Sequence, residues 1–531
     1  MLLKNLLNLV LFAGLLLIPT VLGFGLTESG NSFIVDTEGG LIFTVDKTNG
    51  DITSMKFNGI EAQDSGSKKS HIASGIGATC SWVRTGNSNN YIKITCTAGT
   101  LTHYIVARYK DPAIHMATYI SAEPSVGELR FIARLSKSTL PNGYAVSSIS
   151  GGTAIEGSDV FKVGSQTRSK FYSSRQFIDD QVHGVTGSGI GVYMVIPGTG
   201  YESSSGGPFM RDINNQGGDQ QELYFYMNSG HTQTESYRMG LHGPYALWFT
   251  TGAAPSASID TAFWAGLSVT GFIPQASRGR VTGKASGIPS NFASLQVVGF
   301  SNSAAQYWVR TDSSGSFTSP YMKPGTYTMT LYKVELAVAS QSVTVSAGGV
   351  TTSNIASKEA TPSVIWQIGD FDGTPRGFLN ADIIETAHPS DSRMHSWGPV
   401  TYTIGQQDIG YFPMAAFKGV GPVTVRFALA SGQGGARTLQ IATTLAFAGG
   451  RPQVVVNGWT GPAPAAPSQP DSRGVTRGTW RGNNNLYTVN IPDGVLYTGS
   501  TVNVITINVI SGSSGDLYLS PNFVFDALRL Y

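Results

Sequence analysis

Short runs of alternating apolar and polar residues recur from Phe24 to about residue 280: SFIVDT, LIFTVD, YIKITCTA, LTHYIVARY, HMATYISA and ELRFIARL, each bounded by Gly, Asn or Ser. A two-residue period sends alternate side chains to opposite faces of a strand, and no helical period is sustained. About 250 residues built this way predict a large antiparallel sandwich. The segment 280–358 is punctuated differently, by GSF, then PGTYTMTLY, then renewed alternation, and predicts a compact second sandwich. A Ser/Thr/Ala-rich bridge, TTSNIASKEATPS (351–363), leads into a last block that ends TVNVITINVISGSSGDLYLSPNFVFDALRLY. Its alternation, Gly/Ser turn and Phe-Asp-x-Leu-x-Leu ending fit the closing edge of a jelly roll. The expected fold is all-β, three β-sandwich domains in series, at 24–279, 280–358 and 359–531.

The first 23 residues, MLLKNLLNLVLFAGLLLIPTVLG, follow another pattern: one basic residue, Lys4, an apolar run, then Val21 and Gly23 ahead of a cut at Phe24. They read as a secretory signal peptide, residues 1–23, with a single membrane anchor as the alternative. The chain has 35 basic and 33 acidic residues, and loss of Lys4 leaves 34 against 33. That balance gives no electrostatic case for nucleic acid or an anionic membrane. With 65 glycines, 10% aromatic and 13% charged residues, the composition suits a secreted, turn-rich β protein and not a disordered one. Cys80 and Cys96 flank the turn-like TGNSNN (85–90), so a disulfide across a hairpin is expected after export; two buried thiols are the alternative.

A secreted β protein rich in Tyr and Trp points to a carbohydrate ligand, because sugars stack on aromatic faces. Hydrolysis of a glycosidic bond uses two carboxylates. Glu202, Asp212, Glu222, Glu235 and the Asp179–Asp180 pair are available, and no spacing singles out two of them. β-Elimination from a uronic acid instead needs a cation for the carboxylate, a base for the C5 proton and an acid for the leaving O4; Arg, Lys, His and Tyr can supply these. In SQTRSKFYSSRQF (165–177) a strand would set Arg168, Lys170 and Tyr172 on one face, where a neighbouring cation favours a neutral, basic Lys170. An ordinary solvent-facing lysine is the alternative. In ELYFYMNSGH, Tyr224 and Tyr226 share a strand face and His231 follows at the strand end, either exchanging protons or held by turn hydrogen bonds. His242, in GLHGPYALWF, reads as buried and structural. Arg130 shares a face with Ile132 and Arg134 and can clamp a carboxylate or pair with an acidic neighbour. The loop YESSSGGPFMRDI (201–213) holds Arg211 without converging charge. No P-loop, HExxH, CxxC or GxSxG is present, so phosphoryl transfer, zinc hydrolysis and nucleophile-elbow chemistry have no support.

Long strings, among them HMATYISAEPSVGELRFIARL, GTAIEGSDVFKVGSQTRSKFYSSRQFIDD, YMNSGHTQTESYRMGLHGPY, HPSDSRMHSWGP and DSRGVTRG, resemble the fungal rhamnogalacturonan lyases of polysaccharide lyase family 4 through the whole mature chain. The resemblance implies a galactose-mutarotase-like super-sandwich, a fibronectin-III/transthyretin-like sandwich and a jelly-roll carbohydrate-binding-like domain. It implies endo-acting β-elimination at the rhamnose-α-1,4-galacturonic acid bond of rhamnogalacturonan I, the hairy-region backbone of pectin. A non-catalytic pectin-binding protein and a hydrolase of the same polymer are the competing readings. By the same resemblance Lys170 abstracts the C5 proton and His231 assists at the leaving oxygen. Arg130, Tyr224, Tyr226 and, from the third domain, Arg473 bind substrate, so the first and third domains meet at the groove. No cofactor is expected for catalysis, a structural calcium could use DFDG (370–373), and a secreted monomer is the default. The family cysteine just before DITS is absent here, where Asn49 and Gly50 stand, which leaves Cys80 as the partner of Cys96.

Overall fold

The computed structural model describes residues 23–125, 127–143, 149–157, 159–169, 171–470 and 474–531. The expected leader, apart from Gly23, lies outside these residues, as do Lys170 and Arg473. The described chain is an all-β protein of packed, mostly antiparallel sheets around three main hydrophobic cores.

The first core lies between a five-stranded meander, Gly25 to Glu61, a seven-stranded sheet and a four-stranded sheet. Alternation explains the meander: Leu41, Phe43 and Val45 are buried while Ile42 between them is exposed. An inner strand of the seven-stranded sheet, next to its edge, reads differently, with Ile190–Val195 buried at every position. Such a strand is covered on both faces. The opposite face of this sheet is closed by a second cluster, in which Phe263 and Trp264 pack on Tyr104, Val106 and Ala117. Each such side chain taken fully out of water contributes about 1.5–3 kcal/mol.

Cys80 and Cys96 are directly paired across the hairpin Thr79–Thr85/Tyr91–Ala98 and are joined by a disulfide. Gly50, at φ +78°, packs against it; a Cβ there would stand 3.3 Å from Cys96 Sγ.

The middle unit packs two four-stranded sheets over Val281, Phe300, Tyr307, Phe317, Tyr327 and Leu331. The last unit packs two five-stranded sheets over Trp366, Phe412, Phe427, Phe523 and Phe525. Its final strand, Asn522–Leu530, is not an edge as its position in the chain predicted. It lies between Trp366–Gly369 and Arg437–Phe447, and burial of nearly every residue shows why: both faces are packed. The DFDG segment turns its amides inward. Asp526 Oδ1 accepts hydrogen bonds from the N–H groups of Asp372 (3.1 Å), Gly373 (2.8 Å) and Thr374 (3.2 Å). Among the described residues, no group of three or more His, Cys, Asp or Glu side chains converges as a metal site would require.

Candidate active site

Two antiparallel strands of the four-stranded sheet, Leu129–Leu135 and Gln221–Asn228, build the site. Their register pairs Arg130 with Tyr226, Ile132 with Tyr224 and Arg134 with Glu222. One face sends Phe131, Ala133, Leu135, Leu223, Phe225 and Met227 into the first core. The opposite face bears the paired residues just named. There the rings of Tyr224 and Tyr226 stack at 5.4 Å and 17°. Arg130 lies over the Tyr226 ring at 5.5 Å and pairs with Glu128. Arg134 pairs with Glu222, whose second oxygen accepts the Tyr224 hydroxyl. Burial first, and the neighbouring carboxylates second, raise both phenols well above their ordinary range, so they serve as hydrogen-bond donors and not as bases.

His231 follows the second strand, three residues past its end. Its Nδ1 stands 3.1 Å from each oxygen of Asp212, a side chain only 2% exposed, while its Nε2 lies 3.4 Å from Glu128 Oε1. Asp212 also accepts the Ser229 hydroxyl and the Ile213 amide (2.7 Å), and the Ser229 oxygen in turn accepts the His231 amide at 3.0 Å. Burial alone would push the Asp212 carboxyl up; the His231 ring and these donors outweigh it and hold the carboxyl below its ordinary value. A carboxylate accepts, so Nδ1 carries a proton and Nε2 is the nitrogen that faces Glu128. Edge contacts from Tyr226 at 5.8 Å and Phe171 at 6.2 Å fix the plane of the ring. His242, by contrast, is buried in Gly240–Thr250 away from these groups, and burial depresses it to about 3, so it stays neutral.

Arg130, Tyr224, Tyr226 and His231 therefore share one face and its rim. Lys170 and Arg473 lie outside the described residues. The strand expected across 165–177 is short, Gln166–Arg168, and Phe171–Ser173 form a turn, so Arg168 and Tyr172 do not share the strand face expected for them. A strand needs a partner on its ladder, and only the hairpin with Phe161–Val163 provides one. Sequence reasoning missed Glu128, which bridges Arg130 and His231, and Phe171. It weighed Asp212 only as a hydrolytic carboxylate. Arg211, set aside for want of converging charge, is buried and donates to the carbonyls of Phe171 (3.0 Å) and Gly478 (2.9 Å) and pairs with Glu385 at 3.0 Å. Apart from Arg130, two positions from Glu128, the partners of these residues are remote in the chain, so local spacing held no signal for them.

The geometry unites a cation, a carboxylate-held histidine and two phenols on a sheet face, a set suited to a uronic acid. Comparison with known proteins decides the family. Residues 24–271 match the family "Rhamnogalacturonan lyase B, N-terminal", 277–353 match "Polysaccharide lyase family 4, domain II" and 364–530 match "Polysaccharide lyase family 4, domain III". The chain belongs to polysaccharide lyase family 4. Among curated members of the family, a probable rhamnogalacturonate lyase A of Aspergillus terreus is 58% identical over 509 residues, 94% of each chain. Rhamnogalacturonate lyase A of Aspergillus aculeatus is 56% identical over 515 residues and that of Emericella nidulans 55%, each over 96% of both chains. Among solved structures, a Paenibacillus xanthan lyase aligns over 96% of this chain and 52% of its own at 10% identity and a TM-score of 0.22, too slight a likeness to argue from.

Proposed function

We propose that this family 4 member is a secreted, endo-acting rhamnogalacturonan lyase. It cleaves the rhamnose-α-1,4-galacturonic acid bond of rhamnogalacturonan I by β-elimination and leaves an unsaturated galacturonate at the new non-reducing end. The observation that carries the reading is His231, its Nδ1 held by buried Asp212, its Nε2 facing Glu128, the partner of Arg130, and its ring against Tyr226.

Arg130 neutralises the C6 carboxylate and so stabilises the charge that develops when the adjacent C–H breaks. Lys170 removes the C5 proton. That electron pair forms the C4–C5 double bond, the C4–O4 bond breaks, and His231, protonated on Nε2 as well as Nδ1, gives its Nε2 proton to O4, which leaves with the rhamnose. Tyr224 and Tyr226 complete the binding face for the sugar, and Arg473 adds a cation from the third domain, taken as 359–531 beside 24–279 and 280–358. Glu128 now holds the positions on Arg130 and His231 that a substrate carboxylate and leaving oxygen would use, so it must yield on binding. No step draws on a cofactor. A structural calcium would draw on the oxygens of DFDG (370–373); a melting temperature lowered by chelation supports it, and an unchanged melt removes it. The protein acts as a monomer on this reading, and a light-scattering mass of one chain is the expected result.

Digestion of rhamnogalacturonan I should raise ultraviolet absorbance as unsaturated uronate ends appear, and Lys170→Ala and His231→Ala should each abolish the rise in a folded protein. New reducing ends without absorbance would make the enzyme a hydrolase, and neither signal would make it a binding protein. Full activity in either variant would falsify the role given to that residue.

A further inference from the structure

The string HPSDSRMHSWGP, which the site above leaves unused, forms a loop of the third unit that reaches into the first. Asp391, buried, accepts the Thr167 amide at 2.5 Å on Oδ2. Its carboxylate is fixed from behind by Arg393, through Nε at 2.8 Å, Nη2 at 3.0 Å and the Arg393 amide at 2.9 Å. Around it, Ser392 meets Ser165 at 3.3 Å, His388 Nε2 lies 3.3 Å from Glu156, and the Ser169 amide donates to the Thr386 carbonyl at 3.3 Å. Trp397 Nε1 donates to the Pro389 carbonyl at 2.9 Å and so braces the loop. On the far side of position 170, Arg211 holds the Phe171 carbonyl and is itself anchored to Gly478 and Glu385 of the third unit. Gly478, at φ +80°, lets the chains approach this closely, since a Cβ would stand 2.2 Å from Ser169 Oγ.

All of these contacts to the first unit but that of His388 converge on one short segment, 165–174, whose Phe171 ring abuts His231. We propose that Asp391 is a positioning residue of the lyase, and that its loop is a clamp by which the third unit sets the segment bearing Phe171 and the chain neighbours of Lys170. The proposal deepens the function above and rests on it. Side chains that must meet a reacting centre within a few tenths of an ångström lose rate steeply when their support slackens. Glue of no catalytic consequence would change melting alone.

The test uses full-length Asp391→Ala, Asp391→Asn and Arg393→Gln with rhamnogalacturonan I. The expected result is a kcat lowered about 10- to 100-fold in Asp391→Ala, with KM kept within about threefold. Asp391→Asn, which retains an oxygen for the Thr167 amide, should recover part of the loss, and Arg393→Gln should fall in the same direction as Asp391→Ala; circular dichroism verifies folding. Should Asp391→Ala not fold, Asp391→Asn and Arg393→Gln are judged by the same split of kcat from KM. Wild-type kcat in the folded variants, or a raised KM at unchanged kcat, overturns the clamp. A wild-type protein without an absorbance rise sinks the reading of the site itself, a different result.

Discussion

Nineteen residues separate Asp212 from His231 in the chain, yet the ring nitrogen and both carboxylate oxygens meet at 3.1 Å. An amide in place of that carboxylate loses the negative charge beside the ring and can turn a donor instead of an acceptor toward Nδ1, which loosens the orientation of Nε2. Asp212→Asn should therefore lower kcat by about 100-fold or more while the protein stays folded, which steady-state kinetics beside a thermal melt will check. The same pair has an acid limit. The Asp212 carboxyl is held below its ordinary value, so its contribution to stability is present above the unfolded-state value and is lost as pH falls through the folded one. Residue chemistry of this kind was half legible in the sequence. His231 could be singled out as a proton exchanger at a strand end, but its orienting carboxylate sits on a loop that only the fold brings beside it.

At the scale of the element, strict alternation did most of the work. Phe131 and Phe225 point into the core while Arg130, Tyr224 and Tyr226 share the other face. That division follows from a period of two and needs no knowledge of the partner strand. Phe225→Ala should cost about 3–5 kcal/mol of stability by denaturant unfolding, because it empties a packed site behind the catalytic face. Alternation misled where a strand lacks neighbours: Gln166–Arg168 stops after three residues, and the chain then turns. It also misplaced Asn522–Leu530, whose interior position depends on which strands flank it, something a linear pattern does not encode.

For the whole molecule, the three cores were legible from changes in punctuation along the chain, and the contacts between units were not, since Thr167 and Asp391 are 224 residues apart. The third unit has a pH dependence of its own. Burial first, and the Asp372 charge second, raise the Asp526 carboxyl from an ordinary 3.8 to about 8, against the pull of three amide donors. A carboxyl raised on folding favours the native state when protonated, so its contribution is present below the unfolded value and lost as pH climbs toward the folded one. Melting of the wild-type protein should fall from about pH 5 to about pH 8, and Asp526→Asn should flatten that slope. The seam between the outer units has a consequence for engineering. Polysaccharide-degrading enzymes joined to binding modules by linkers can be recombined like cassettes, because neither part reads the other's surface. Here a graft of the jelly roll from a homologue should restore activity only when its 388–393 loop and the recipient's 153–168 segment come from the same parent, which makes the pair a single unit of inheritance.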